Sequence, residues 1–513
     1  MRLRGLLRGG GGSEDTLTHQ IGRAAAWSSL GSVAMRLGSF LAGIAAARLI
    51  APEEFGVFAV ALTAHAIIVN VSDLGVSAYV VRHDGDLDSV GPTVTTIALA
   101  SAALLAGAMA LSAPWLSTQL GSGEAVTPVR VLSLTVLLAG VSAVPGAVLT
   151  REFRQEKRFL ADLANFVLST ALLLALALSG GGALALAWSR VAGQAASTLV
   201  LLKASPQRFW PGFDRVAFSS VIAFGLPLVG SSFLGFLIAN IDFIVIGRLL
   251  GAEQLGFYYL AHNVGSWPYV IMAPIVASVT VAAFSRVRHD RALFGERVST
   301  SMAALLAVAL PVSALIAALA LPLVEVIYGP TWSPAAAALA LTAAYGAMRI
   351  PSDLMLNVII AEGRTRAMFA CQVAYLLALA PLTLFGVRAW GIAGAGAAHI
   401  VAIVIVLLPG YALILGRHCD FGLRRLVVVS APPLAAAAVA GVAANLVARQ
   451  IGPPLEALMA GGLAGVLVYG LLLLSWGRRA IDAGRRVWSR GDTGGPGDAS
   501  VSGAGLESLL PRA

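Results

Sequence analysis

Fourteen apolar runs follow one another along this chain of 513 residues, many of them near the ~20 residues needed to cross a bilayer core. They occupy residues 24–50, 56–81, 92–111, 128–150, 160–179, 183–202, 219–247, 256–284, 298–327, 335–360, 368–386, 391–415, 426–448 and 455–476. Hydrocarbon offers no partner to a backbone N–H or C=O, so consecutive runs of this kind fold as helices that satisfy their own backbones. Only 12% of residues are charged, about half of what a soluble chain carries. The expected fold is therefore an all-α polytopic membrane protein with about fourteen transmembrane helices. Pro227, Pro268, Pro274 and Pro311 fall inside these runs, where neighbouring helices must satisfy the carbonyls that proline leaves free.

The breaks between runs set the orientation. With the N-terminus inside, 27 of the 35 Lys and Arg fall in inner segments and only four in outer loops. This positive-inside bias predicts an even number of spans with both termini cytoplasmic. The net charge of +9 thus faces the anionic headgroups of the inner leaflet, and nucleic acid is not an expected partner. Residues 1–23, with Arg2, Arg4, Arg8 and Arg23, read as a cytoplasmic tail ahead of an uncleaved signal anchor. Residues 477–513 read as a basic tail that passes into a disordered Gly/Ser/Pro/Asp stretch. Cys371 and Cys419 make no disulfide framework.

The chain also repeats itself. Arg48-Leu49-Ile50-Ala51-Pro52-Glu53-Glu54-Phe55-Gly56 matches Arg248-Leu249-Leu250-Gly251-Ala252-Glu253-Gln254-Leu255-Gly256 at an offset of 200, and Phe58 faces Tyr258. Glu152-Phe153-Arg154 through Phe159 matches Glu362-Gly363-Arg364 through Phe369 at an offset of 210. Locally, Arg and Glu suit an interface and Gly suits a tight turn. Two matches in one order at nearly one offset ask for a duplication as well. Each half then holds six spans in the same orientation, a parallel repeat of the kind that transporters use to bind substrate between their halves. The expected organisation is an N-lobe over 24–202, a cytoplasmic linker over 203–218, a C-lobe over 219–415 and two extra helices over 416–476.

Several of these segments resemble the polysaccharide-exporter and O-antigen-flippase family, in the superfamily that also holds lipid II flippases and multidrug extruders. The resemblance spans roughly 20–420 and is carried by 48–56, Val71-Ser72-Asp73-Leu74-Gly75, Asn240-Ile241-Asp242, Ile246-Gly247-Arg248, Leu255-Gly256-Phe257-Tyr258 and Ala283-Phe284-Ser285-Arg286. It implies a V-shaped, two-lobed transporter in the bacterial inner membrane that works by alternating access. It implies a polyprenyl-diphosphate-linked oligosaccharide as cargo, with glycosyltransferases and a polysaccharide polymerase as partners and no cofactor.

Ionisable side chains inside a bilayer are costly and mark function by default. Arg36 near the middle of span 1 and Asp73 in span 2 lie at comparable depth, so they either pair or leave Arg36 to contact a diphosphate. Arg349 and Asp353 are four residues apart on one helical face and can neutralise each other, or leave Arg349 for substrate. Arg190 has no acid at its depth in its own or the preceding span, and its planar fork suits phosphate oxygens. Asp73, Asp242 and Asp353 are the candidates for coupling or gating; Asp242 suits a coupling cation, a proton or a latch to neighbouring polar groups. His65, His262 and His399 read as packed histidines rather than a proton relay. The aromatic group Phe257, Tyr258, Tyr259, Trp267 and Tyr269 reads as an interfacial belt before it reads as a sugar platform.

Two other functions compete. A cation-coupled drug or small-solute antiporter favours an acid-lined apolar cavity, whereas three arginines at mid-membrane favour an anionic cargo. A membrane glycosyltransferase or ligase needs catalytic groups in large outer loops. The longest outer loop, about 112–127, holds only Glu124, and no metal-ligand spacing, phosphate loop or nucleophile motif is present. No catalytic residue and no metal are expected.

Overall fold

A computed structural model describes residues 35, 38–72, 74–83, 85–273, 276, 291–418 and 421–492. Arg36, Asp73, the 283–286 motif, the N-terminal tail and residues 493–513 lie outside them. The described chain is helical throughout, without a strand: α1 (Gly38–Leu49), α2 (Pro52–Ser72), α3 (Val76–Arg82), α4 (Leu87–Gln119), α5 (Val126–Arg151), α6 (Gln155–Leu178), α7 (Gly182–Ala204) and α8 (Arg215–Gly265). There follow α9 over 267–273, α10 (Arg291–Ala318), α11 (Ala320–Ile327), α12 (Ala335–Ala361), α13 (Thr365–Ala402), α14 (Leu408–His418), α15 (Leu423–Ala448) and α16 (Pro454–Asp492), with a π-turn over Ile403–Leu407.

Nine of the described helices are long and apolar enough to span a bilayer. Two of them carry two crossings each. The 59-residue stretch Arg215–Ala273 would run ~90 Å as one helix, about three bilayer cores. It turns instead at Gly251, where φ is 84°. The 53-residue stretch Thr365–Arg417 turns at Trp390 and Gly391. The described part of each of the fourteen expected runs falls largely on helix.

The chain forms two compact units, Met1–Phe236 and Leu237–Ala513. The division falls inside α8. The connection ahead of α8, residues 205–214, is strapped to α4 within the first unit. Thr96 donates to the Gly212 carbonyl (2.6 Å), and the Gly212 and Asp214 amides donate to Thr96 and Thr93 (2.9 and 2.8 Å). Asp214 then caps α8 by accepting from the Ala217 amide at 2.8 Å.

The repeat is visible in the backbone. Helix α5 ends where the Phe153 amide donates to Thr150 and the Arg154 amide to Leu149; helix α12 ends where Gly363 donates to Ile360 and Arg364 to Ile359. The same bonds recur 210 residues apart, and both C-terminal residues are left-handed, Phe153 at φ 57° and Gly363 at φ 72°. This is a Schellman ending, which calls for glycine at that position. At the other matched corner, Pro52 opens α2 while Gly251 breaks α8.

Proline gaps are closed by side chains from neighbouring helices. Pro114, Pro311 and Pro322 cannot donate to the carbonyls of Ala110, Ala307 and Ala318 four residues earlier. Those three carbonyls accept from Arg130 Nε (3.4 Å), Tyr469 Oη (2.7 Å) and Asn445 Nδ2 (2.8 Å). Two of the donors lie on α15 and α16, the pair outside the repeat, which packs against α10 through Ala437, Ala440 and Tyr469 in the core of the second unit.

Candidate functional site

In the first unit the charge lies open. Arg190 sits eight residues, roughly 12 Å, into α7, at hydrocarbon depth. It is exposed, and its guanidinium carbon lies 5.5 Å from the Phe58 ring. No carboxylate lies within 4 Å of it among the described residues. A guanidinium exposed to lipid tails is costly, so a side chain in this position calls for water or an anion beside it. Beside it, His65 meets Thr135 at 2.7 Å. The single Thr135 hydroxyl hydrogen goes to the Leu132 carbonyl at 2.6 Å, so His65 must donate from Nε2 and leave Nδ1 open. Glu54 of the repeated motif accepts from the Ala183 amide at 2.7 Å and so caps the first turn of α7, the helix that carries Arg190.

In the second unit the charges are enclosed. Asp242, on the first segment of α8, is fully buried. Its Oδ1 accepts from the Phe243 amide at 2.9 Å. Its Oδ2 accepts from the Tyr258 hydroxyl and from His399 Nε2 at 3.2 Å, with His262 Nδ1 at 3.9 Å. His399, on the second segment of α13, meets the Tyr375 hydroxyl through Nδ1 at 3.3 Å and has the Tyr345 ring at 4.4 Å. His262 and His399 are therefore not isolated packing residues, as their spacing suggested: both face one carboxylate. Only His65 is a packed histidine with a neutral partner. Phe257 and Tyr258 leave the expected interfacial belt as well, since both are buried and Tyr258 serves Asp242.

Arg349 and Asp353 share a face of α12, and Tyr269 of α9 stands between them. The Arg349 guanidinium carbon lies 3.8 Å from the Tyr269 ring centre and 5.9 Å from that of Tyr345, and the Tyr269 hydroxyl donates to Asp353. The tyrosine thus carries the interaction between the two charges.

Of the six candidate residues, the structure places Asp242, Arg349 and Asp353 in the second unit and Arg190 in the first; Arg36 and Asp73 lie outside the described residues. It adds Tyr258, His262, His399, Tyr375 and Tyr269. The sequence marks His262 and His399 only as packed histidines and Tyr258 and Tyr269 only as belt aromatics, and it gives no sign of Tyr375. No trio of His, Cys, Asp or Glu among the described residues could hold a metal.

Comparison with known proteins bears on what such a molecule does. Residues 45–337 match the family model described as polysaccharide biosynthesis protein. The chain is 26% identical over 488 residues to the succinoglycan biosynthesis transport protein ExoT of Rhizobium meliloti, covering 92% of this chain and 96% of that one. Among solved structures, the inward closed lipid II flippase MurJ superposes with a TM-score of 0.72 at 14% identity, over 89% of this chain and 100% of that chain. An inward-facing multidrug resistance transporter of the MATE family gives 0.58 at 16% identity, over 75% and 96%. The chain thus shares the fold of these polytopic transporters. Because the matched segment takes in more than half its length, this multi-pass membrane protein belongs to the polysaccharide biosynthesis protein family.

Proposed function

We propose that the protein moves a polyprenyl-diphosphate-linked oligosaccharide, a polysaccharide precursor, from the inner to the outer leaflet by alternating access. The observation that carries this reading is Arg190, an exposed guanidinium at hydrocarbon depth with no carboxylate within 4 Å among the described residues. Such a group needs water or an anion, and a diphosphate supplies oxygens at the spacing of the guanidinium fork. The Phe58 ring, its centre 5.5 Å from the guanidinium carbon, offers it a cation–π contact. Membership of the polysaccharide family, and a relative named for succinoglycan transport, point to a sugar-bearing anion rather than a drug.

Arg36 and Arg190 together hold the diphosphate in this reading, and Arg349, tied to Tyr269 and Asp353, is left a structural role. The lipid-linked cargo implies glycosyltransferases that supply it and a polymerase that consumes it. The 27-to-4 charge bias supports an inner-membrane orientation with both termini cytoplasmic.

The test is export in cells and exchange of a fluorescent polyprenyl-diphosphate oligosaccharide in liposomes. Arg36→Ala combined with Arg190→Ala should abolish both while insertion and melting temperature stay normal. Full activity of that double variant would remove the basis of the assignment.

A further inference from the structure

The Asp242 cluster has no part in holding the cargo described above. A carboxylate buried in a membrane span costs more than an apolar residue of its size would, so its retention asks for a role. Among the described residues, the basic side chains within 4 Å of it are the two histidines, His262 and His399. The proton count around it can be read from the donors. Tyr258 spends its one hydroxyl hydrogen on Oδ2. His399 Nε2 donates to the same oxygen, so the Nδ1 of a neutral His399 accepts the hydroxyl hydrogen of Tyr375. His262 Nδ1 is buried, has no hydrogen-bond partner among the described residues, and stands 3.9 Å from that oxygen.

We propose that Asp242, His399 and His262 form a proton-binding site, in which one carboxylate has two exchangeable imidazole partners. The arriving proton adds to Nδ1 of His399. That nitrogen becomes a donor to the Tyr375 oxygen, Tyr375 turns its own hydrogen away, and an imidazolium–carboxylate pair results. The same proton placed on His262 draws that ring onto Oδ2 and frees His399.

The groups that face the site are Tyr258 and His262 from the second segment of α8, Tyr375 and His399 from α13, and Tyr345 from α12, with Arg349 behind Tyr345. Arg349 opposes a second positive charge, which limits uptake to one proton. His399 lies between the break at Gly391 and the π-turn over Ile403–Leu407. A segment bounded by two irregular turns can shift as a unit when its buried partner changes. Proton uptake at His399 is thereby linked to movement of that segment.

The proposal rests on the transport reading only for what the proton drives. The full chain is reconstituted in liposomes with the fluorescent lipid-linked oligosaccharide, with or without an imposed pH or Na⁺ gradient. One pH unit can sustain up to about tenfold leaflet asymmetry per proton. The pH gradient should drive asymmetry that an uncoupler collapses, and the Na⁺ gradient should not. Asp242→Asn and His399→Gln should lose the driven asymmetry and keep gradient-free exchange. Driven asymmetry in Asp242→Asn, or drive by Na⁺, overturns the site. If the wild type shows no exchange at all, the transport reading fails and the site is decided by ¹⁵N-histidine NMR. A histidine resonance that shifts with pH, is missing in His399→Gln and is displaced in Asp242→Asn supports it; its absence in the wild type overturns it.

Discussion

The two units start from one repeated pattern and put charge to opposite uses. In the first, position 58 is Phe, a flat support under the exposed Arg190. In the second, 200 residues on, position 258 is Tyr, and its hydroxyl feeds the buried Asp242. Asp242 answers to Ala42, His262 to Leu62, and His399, by the offset of 210, to Ser189. Duplication therefore kept the corners and helix ends and exchanged the interior chemistry. One unit presents a charge to water, and the other closes a polar network around one. A cargo that is anionic at one end, and a driving ion that must be held away from it, suit such asymmetry better than two equal sites.

That contrast is most exposed at the arginines. Arg190→Ala should lower transport at least about a hundredfold, the loss of roughly 3 kcal/mol of charge-assisted binding, with melting unchanged. Arg349→Ala should do the reverse: it leaves Asp353 and the Tyr269 ring without their cation and should cost about 3 kcal/mol of stability. Transport assays and thermal melts of the two variants side by side would collapse the comparison if Arg349→Ala proved the more transport-specific of the two.

Tyr258→Phe gives the second unit the residue of the first. It removes one of the hydrogens on Asp242 Oδ2 and should cost about 2 kcal/mol, read as a lower melting temperature. Phe58→Tyr, in the other direction, should also cost about 1–2 kcal/mol, because it buries a hydroxyl at a position only 2% exposed, where no counterpart of Asp242 receives it. A neutral Tyr258→Phe would mean that Asp242 draws its stabilisation from the histidines alone.

The proline gaps compare the units on a smaller scale. Asn445→Ala and Tyr469→Phe each leave a membrane-buried carbonyl unpaired in the second unit. Each should cost about 1 kcal/mol, the size measured for hydrogen bonds between membrane helices. Arg130→Met does the same in the first unit, where the 3.4 Å bond is longer and partly exposed and the cost should be smaller. Equal melting shifts for all three would say that solvent, not packing, sets the price.

How much of this was legible beforehand follows from range. The fourteen crossings are local facts, written in the length of apolar runs, and the duplication is written in two short corners. The partners of the charges are not local. His399 lies 157 residues from Asp242, and Tyr269 lies 84 from Asp353. No periodicity reaches that far, so a histidine in an apolar run looks like any other packed residue until the fold sets it against a carboxylate. Arg349 and Asp353 show the converse. Their four-residue spacing correctly put them on one face, and a third residue from another helix then took the place of the direct pair.

The smallest predicted effect returns to the corner that both units share. Both Schellman endings need a left-handed residue; the second unit supplies Gly363 and the first Phe153. A side chain in that conformation costs about 1–2 kcal/mol, offset by the 0.5–1 kcal/mol of chain entropy that glycine would lose on folding. Phe153→Gly should therefore stabilise the protein by roughly 0.5 to 1 kcal/mol in detergent, where its 86% exposed ring touches little. The ring follows Arg151 and precedes Arg154, Lys157 and Arg158, at the boundary where aromatic side chains anchor helices to headgroups. In a bilayer that anchoring is lost with the ring, and the gain should shrink or reverse. Melting the variant in both media separates the two terms: stabilisation of equal size in detergent and in lipid would show that Phe153 does nothing at the interface and that its strain is merely tolerated.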